Sequence, residues 1–390
     1  MLVRDNRLHF ADDASRANAY PMIFSILGRL IPQRDMTSTP RRIIVIRPCC
    51  IGDVVMATAA LTALRETFPQ AHISFAAGSW SAAAIADHPA LDALIDTGEA
   101  ALPSRSPVEF LRFIKQLRAG KFDLAVSLTR SPVMSLALCL SGIALRAGLD
   151  SAGRGFGYNL RVAVDPAARE HESAIYLRVI SAIAGQPCHA YANLPLDAAA
   201  QDDIGRRLQA ASVSRPFIVA HPGGGSNPGM TMDSKRYPPA QLAALLDRVA
   251  RETTAALILI GGPGDEETVS AVAQRLNTPS IAWVNQLNFA QIAALAAASL
   301  CYIGNDTGMT HLAAAAGAAT VMMMGPTDPR RYAPFTKNHL VLWKVTDLRT
   351  GGVGATPASG WDWARDGFSV EDGARQILDF LQAIASQEGR

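Results

Sequence analysis

Two places in this chain combine residue types and spacing that suit chemistry. One is Gly52-Asp53, the other Gly304-Asn305-Asp306-Thr307-Gly308-Met309-Thr310-His311. A single carboxylate can take a proton from a hydroxyl if it is held within reach of it. The second run lies between an apolar stretch, Leu300-Cys301-Tyr302-Ile303, and an alanine-rich one, Leu312 to Gly317, in the order of a strand feeding a helix. Such a turn bares backbone N–H groups at the positive end of a helix dipole, which suits a phosphate-bearing ligand. A nucleotide is the ligand class this favours.

Two further turns have the same placement. His221-Pro222-Gly223-Gly224-Gly225-Ser226 follows an apolar run, and Lys235-Arg236-Tyr237-Pro238 precedes the next helical stretch. Gly223 and Gly224 let a ligand approach the backbone, while Lys235 and Arg236 could neutralise a diphosphate. The residues between, Asn227 to Ser234, read either as a mobile lid or as an ordinary surface loop. The turn Ile260-Gly261-Gly262-Pro263-Gly264-Asp265-Glu266-Glu267 lacks the last glycine of G-x-G-x-x-G and carries acids instead. A carboxylate there suits a ribose hydroxyl, and equally suits the start of a helix. Asp53 has the same double reading, as a base at a cleft edge or as a helix N-cap. Neither G-x-x-x-x-G-K-[ST], H-E-x-x-H nor G-x-S-x-G occurs, and no clustered His/Cys ligand set is visible, so no metal site is expected.

These groups need rigid supports, and the hydrophobic pattern supplies them. Ile43-Ile44-Val45-Ile46 has the continuous β-branched character of a strand buried on both faces of a parallel sheet. Asp53 to Arg65 has helical spacing, Pro69 ends it, and His72 to Ala77 reads as the next strand. Weaker strands follow near 93–96, 124–127 and 144–149, with helices between them and another near 170–184. A second alternation starts at Phe217-Ile218-Val219-Ala220. It runs through helix 239–251, strand 256–260, helices 265–276 and 289–297, the strand at Leu300, the alanine-rich helix and a last strand, Thr320 to Met324. Two successive open α/β sheets imply two Rossmann-like domains facing each other across a cleft. The division expected is 1–40 as an extension, 41–200 and 201–348 as the two domains, and 349–390 as a segment whose helix, 370–385, packs back on the first domain.

Composition narrows the class. A chain of 390 residues, 49% hydrophobic and 18% charged, can build two cores. With 36 Lys+Arg against 34 Asp+Glu, a net charge of +2 gives no broad basic field, so a nucleic-acid partner is not expected. Cys49, Cys50, Cys139, Cys188 and Cys301 lack C-x-x-C spacing and a regular disulfide pattern, and are expected as reduced, mostly packed thiols of a cytoplasmic protein. The opening residues lack the charged-then-apolar order of a secretory signal, and no run approaches a membrane span. Residues 20–31 are apolar and flanked by Arg29 and Arg34. They could lie on a membrane surface or cover an apolar groove of the protein itself.

Taken in order, the Gly52-Asp53-Val54 turn, the HPGGG loop with Lys235-Arg236-Tyr237-Pro238, the GGPGDEE turn, Asp306 to His311 and Gly325-Pro326-Thr327-Asp328-Pro329 resemble glycosyltransferase family nine, the ADP-heptose:lipopolysaccharide heptosyltransferases and relatives. The resemblance spans Arg41 to Phe335. It implies a GT-B fold and inverting transfer without metal or cofactor, from a nucleotide-sugar donor (ADP-heptose) to a lipid-anchored glycan acceptor of lipopolysaccharide type. The expected place is the cytoplasmic face of the inner membrane. It also implies roles: Asp53 as general base, Lys235 on the donor phosphates, and Asp306, Thr307, Gly308 and His311 as the diphosphate and sugar turn. Gly223 and Gly224 belong to the donor side, Glu266 lies near the ribose, and Gly52 and Cys50 lie on the acceptor side. Many relatives carry small hydroxyl residues where this chain has Pro48-Cys49-Cys50. A nucleotide-sugar epimerase or hydrolase, or a non-catalytic sugar-nucleotide binder, would use the same second-domain turns.

Overall fold

A strand buried on both faces must be apolar throughout, and Ile43 to Ile46 meet that condition with essentially no exposed surface. The computed structural model describes residues 20–98, 106–167, 169–214, 216–227, 230–345 and 361–388. The first sheet comprises β1 (Arg42–Ile46), β2 (His72–Ala77), β3 (Ala93–Asp96), β4 (Leu124–Ser127), β5 (Leu145–Asp150) and β6 (Leu160–Ala163). Its order is β3-β2-β1-β4-β5-β6, all parallel. The second comprises β7 (Phe217–His221), β8 (Ala256–Gly261), β9 (Ser280–Val284), β10 (Cys301–Asn305), β11 (Thr320–Met323) and β12 (His339–Leu342). It repeats the order as β9-β8-β7-β10-β11-β12, again all parallel. In each sheet the chain leaves its first strand outward on one side and later returns on the other. A crevice therefore opens at the C-terminal ends of β1/β4 and of β7/β10.

Helices cover both faces of each sheet. On the first sheet, α2 (Ile51–Met56), α3 (Thr58–Thr67) and α6 (Glu172–Ala184) bury Val54, Leu61 and Ile180 against Ile43 and Val45. On the opposite face α4 (Pro107–Ala119) and α5 (Pro132–Ser141) bury Phe113 and Leu138 against Ile44 and Ile46. Both start alike, with Pro at the first turn and a serine cap, Ser106 or Ser131, accepting from a backbone N–H three residues on. The second sheet carries α7 (Ala198–Ala210), α8 (Pro239–Thr253), α9 (Glu266–Ala273), α10 (Phe289–Ala298), α11 (Gly308–Ala315) and α12 (Val370–Glu388).

The structure corrects the sequence expectations at several points. β6, β9 and β12 are additional strands, and all three lie at sheet edges, where half the surface is open and the apolar run is correspondingly broken. Helix α12 packs on α8 and β12 of the second lobe rather than returning to the first, because its Ala374 and Ile377 join the core that holds Leu245 and Leu342. Trp363 and Phe368 enter the same core around Tyr237. Helix α7 buries Ala200, Ile204 and Leu208 beside Phe217, so from residue 198 onward the chain packs with the second sheet. Residues 20–29 form a helix, α1 (Tyr20–Arg29), that lies on the first lobe, with Phe24 stacked on Phe156. The remainder of the 1–40 extension up to residue 19, and the 349–360 stretch, lie outside the described residues.

The lobes meet along an apolar seam in which Val55 of α2 packs with Leu312 of α11 and Ala293 of α10. The connecting segment is bonded to both sides: Asn193 N–H donates to Thr58 Oγ1, and Leu194 N–H to the Ala315 carbonyl. A buried carboxylate, Glu172 of the first lobe, accepts from Arg130 at 2.8 Å and from Arg331 of the second lobe at 2.7 Å.

Candidate active site

The loop after β1 ends in α2, and Asp53 is the third residue of that helix. Cys50 holds the N-cap position at φ 63°, without a capping side-chain bond, so the N-cap reading of Asp53 falls away. The Asp53 carboxylate instead accepts from the Arg47 guanidinium at 2.7 Å, with side-chain exposures of 18% and 15% respectively. Asp53 is thus half-buried in the first turn of α2. Burial alone works against the charge on Arg47, but Asp53 and the surrounding acidic groups outweigh it and hold the guanidinium more firmly protonated than usual. Arg47 also lies over the Tyr176 ring.

Cys49 and Cys50 are joined by a disulfide, contrary to the expectation of free thiols, while Cys139, Cys188 and Cys301 are free. The two sulfurs and an Asp53 oxygen all lie within 4.8 Å of one another, a grouping not apparent from spacing alone. With the sulfurs bonded to each other, neither is a thiolate, and the carboxylate is the one strong ligand left.

On the second lobe the turn after β10 is the structural centre. Asn305 is fully buried, and its side chain accepts from Tyr237 N–H at 2.9 Å and donates to the Pro222 and Gly223 carbonyls at 2.7 and 3.1 Å. One amide therefore locks the HPGGG loop and the Lys235–Pro238 segment to the 304–311 turn. Asp306 is buried and paired with Lys235 Nζ at 2.7 Å. Burial pushes its pKa up, but Lys235 outweighs that and leaves it lowered. Thr307, in extended conformation at the N-cap of α11, makes no capping side-chain bond, so the first N–H groups of this helix are not covered by their own cap.

Asp265 plays the corresponding role for the third turn. Its carboxylate accepts from Gly224 N–H at 3.0 Å, from Gly262 N–H at 3.0 Å and from His221 Nε2 at 3.1 Å. Despite burial, the His221 ring and the two amides draw its pKa down to about 2. The glycines are needed for these approaches: a Cβ on Gly223 would collide with the Asp265 carboxylate, and one on Gly224, which sits at φ 95°, with Thr307. Glu266, next along, is exposed and closes its own turn, accepting from Gly264 N–H at 2.9 Å and from Asn285 Nδ2.

The two halves of the site touch. A Cβ on Gly52 would stand 2.9 Å from His311 Cδ2, and one on Gly308 would stand 2.9 Å from Gly52 N and 2.6 Å from Ile51 Cβ. Asp53 is consequently one residue from the contact with the 306–311 turn. His311 is buried in this seam, and burial, opposed by Asp306, holds its pKa down to about 4, so its imidazole is neutral near pH 7. Below about pH 6.5 the unfolded chain binds a proton here that the folded chain refuses until about pH 4. Stability from this group is therefore complete above pH 6.5 and is lost as pH falls through that window, by about 3 kcal/mol. His88, His171 and His339, all lowered mainly by burial, add to the same slope. Urea denaturation of His311→Asn across pH 7 to 5 should show a flatter decline than the native protein, and an unchanged slope would refute the assignment.

Of the residues singled out in the sequence, Gly52, Asp53, Lys235, Asp306, Thr307, Gly308 and His311 gather at this meeting point, with Gly224 beside Thr307 and Gly223 against Asp265 and Asn305. Arg47, Asn305 and Asp265 were not assigned functional roles from sequence. Arg47 had one available signal, an arginine ending an otherwise apolar strand; Asn305 and Asp265 lay inside runs already noted.

Comparison with known proteins shows the family and the fold. The sequence pattern of glycosyltransferase family 9 (heptosyltransferase) matches residues 110–350. Lipopolysaccharide heptosyltransferase 2 of Escherichia coli strain K12 is 26% identical over 367 residues, covering 89% of this chain and 99% of that protein. Lipopolysaccharide heptosyltransferase 3 of Escherichia coli is 22% identical over 75% of this chain and 86% of its own length. Among solved structures, a family 9 glycosyl transferase from Veillonella parvula superposes with a TM-score of 0.72 at 17% identity, covering 88% of this chain and 97% of that one. The Escherichia coli ADP-heptose heptosyltransferase II does so with a TM-score of 0.67 at 22% identity, covering 90% and 100%. These structures share the GT-B fold of two parallel sheets. Among the described residues, no helix is long and apolar enough to cross a membrane.

Proposed function

Because the chain belongs to glycosyltransferase family 9, the heptosyltransferase family, we propose that it moves a heptose from ADP-heptose to a lipopolysaccharide-type acceptor, with Asp53 as general base. The contact of Gly52 with Gly308 and His311 supports this reading, because it brings the residue next to Asp53 against the 304–311 turn of the other lobe. The acceptor oxygen attacks the anomeric carbon as the bond to the diphosphate oxygen breaks. The hydroxyl proton passes to Asp53, and the sugar is inverted because attack comes from the face opposite the departing group. Lys235, oriented by Asp306, and the first N–H groups of α11 meet the charge that develops on the diphosphate. Neutral His311 can donate a hydrogen bond there without competing as an acid. With these groups supplying the positive field, the reaction needs no metal ion in this reading.

Gly223 and Gly224 admit the nucleotide, Glu266 lies on the ribose side, and Gly52 and Cys50 line the acceptor side. The 41–200 lobe holds the acceptor and the 201–348 lobe the donor. The acceptor is lipid-anchored, so the protein works at the cytoplasmic face of the inner membrane as a peripheral component.

The phosphate role of Lys235 needs a double variant, because removing Lys235 alone strands the Asp306 charge in a buried site. Lys235→Met with Asp306→Asn should weaken ADP-heptose binding by about 10- to 100-fold, the range of one charge-assisted contact. Calorimetric titration measures this, and unchanged affinity would refute the contact. Donor consumption should require acceptor; turnover of ADP-heptose without it would point to hydrolysis instead.

A further inference from the structure

The outer surface of the first lobe carries exposed aliphatic side chains that its own core does not use. On α4, Val108 and Leu111 are 64% and 63% exposed, one turn apart, while Phe113, Ile114 and Leu117 face inward. On α5, Val133, Leu136 and Leu140 follow one another at helical spacing and are exposed, while Met134, Ala137 and Leu138 are buried. On α1, Ile26 and Leu27 are exposed, and Leu30 just beyond it is 74% exposed. The three elements adjoin. Arg118 near the end of α4 donates to the Leu140 carbonyl near the end of α5 at 2.8 Å. Gly157 N–H donates to Ser135 of α5, and the neighbouring Phe156 stacks on Phe24 of α1. Arg161 fixes the end of α1 by donating to the Gly28 and Ile31 carbonyls.

Position and charge say what such a face meets. Because every strand of the sheet is parallel, helices α4 and α5 run back against the strands. Their first turns, with Val108, Leu111, Val133 and Leu136, thus lie toward the strand C-terminal edge from which the Asp53 loop also emerges. Arg29, Arg112, Lys115 and Arg118 are exposed on α1 and α4 against a single acid, Glu109, although the chain as a whole is nearly neutral. The exposed apolar residues are all aliphatic and interspersed with lysine and arginine. The core of a protein-binding patch is instead enriched in aromatic residues and depleted of charge. Aliphatic side chains flanked by basic ones suit the boundary between acyl chains and anionic headgroups.

We propose that the α1–α4–α5 face seats the protein on an anionic bilayer, with the acceptor lobe's strand-end edge toward the lipid; this rests on the reading of the acceptor as lipid-anchored. The aliphatic side chains enter the acyl boundary, and Arg29, Arg112 and Lys115 meet headgroup phosphates.

The test is co-sedimentation of the full chain with vesicles of phosphatidylcholine mixed with phosphatidylglycerol, and with phosphatidylcholine alone. Native protein should pellet with the anionic vesicles, less at high salt and less with phosphatidylcholine alone. The triple variant Val108→Asp, Leu111→Asp, Leu136→Asp, all at surface positions, should bind the anionic vesicles about tenfold more weakly or worse. It should keep native circular dichroism and native transfer to a delipidated, soluble acceptor. Native protein that stays in the supernatant, or a triple variant that pellets like native, would overturn the proposal. So would a native dimer, seen by sedimentation velocity, that the triple variant abolishes while vesicle binding is absent. Failure of native protein to transfer to the soluble acceptor would count against the enzymatic reading, and pelleting would still decide the membrane face.

Discussion

Asp53→Asn lowers heptose transfer by about 10² to 10⁴, the usual contribution of a general base, while donor affinity stays at its native value. Asparagine is the informative substitution because its side-chain oxygen can still accept from Arg47, which the native carboxylate meets at 2.7 Å. The local geometry then survives, and what is lost is the ability to take a proton. Alanine would leave Arg47 charged, largely buried and without its partner, adding a stability loss to the catalytic one. Initial rates at saturating donor and acceptor, with far- and near-ultraviolet circular dichroism as the folding control, read the effect. A well-folded Asp53→Asn protein that transfers at the native rate would remove the base from the scheme.

Gly308→Ala should cost about 100-fold in kcat/KM for transfer, the order expected when reacting groups on two lobes are displaced by about an ångström. The added methyl would stand 2.6 Å from Ile51 Cβ and 2.9 Å from the backbone nitrogen of Gly52, and no rotamer change can move the backbone. The lobes must separate at Gly52, the residue before Asp53. Helix propensity acts in the opposite direction, since alanine in place of glycine in α11 favours the helix by up to about 1 kcal/mol. The expected signature is therefore a large kinetic defect with little change in the midpoint of thermal unfolding. Gly52→Ala provides a graded comparison. Its methyl meets the His311 ring at 2.9 Å, and a side chain can turn aside, so the loss should be smaller. Native kcat/KM in Gly308→Ala would show that this contact does not set the distance across the site.

Much of this protein follows from its chain order alone. The interior strands were legible because an interior position in a parallel sheet demands an unbroken apolar run, as at 43–46, 217–220 and 256–260. The ligand turns were legible because a strand-to-helix junction needs glycine and small polar residues in local order. The edge strands β6, β9 and β12 were not, since an edge strand shares its surface with solvent and its pattern resembles that of a loop. Helix α12 had a readable apolar face, but amphipathicity says only that a helix must dock; the core around Leu245 and Leu342 decided where.

The same division holds at the site. Sequence determined which residues could do the chemistry, since carboxylate, lysine, glycine and histidine act through groups that are evident in the amino-acid type. Tertiary structure decided which of them meet: that Asp53 pairs with Arg47 instead of capping its helix, that Asp306 holds Lys235, and that Gly52 abuts Gly308 and His311. The physical reason is range. Periodicity and turn chemistry are set by neighbours a few residues apart, whereas the meeting of residues 52 and 308 depends on how two separately formed sheets dock through the Val55–Leu312 seam.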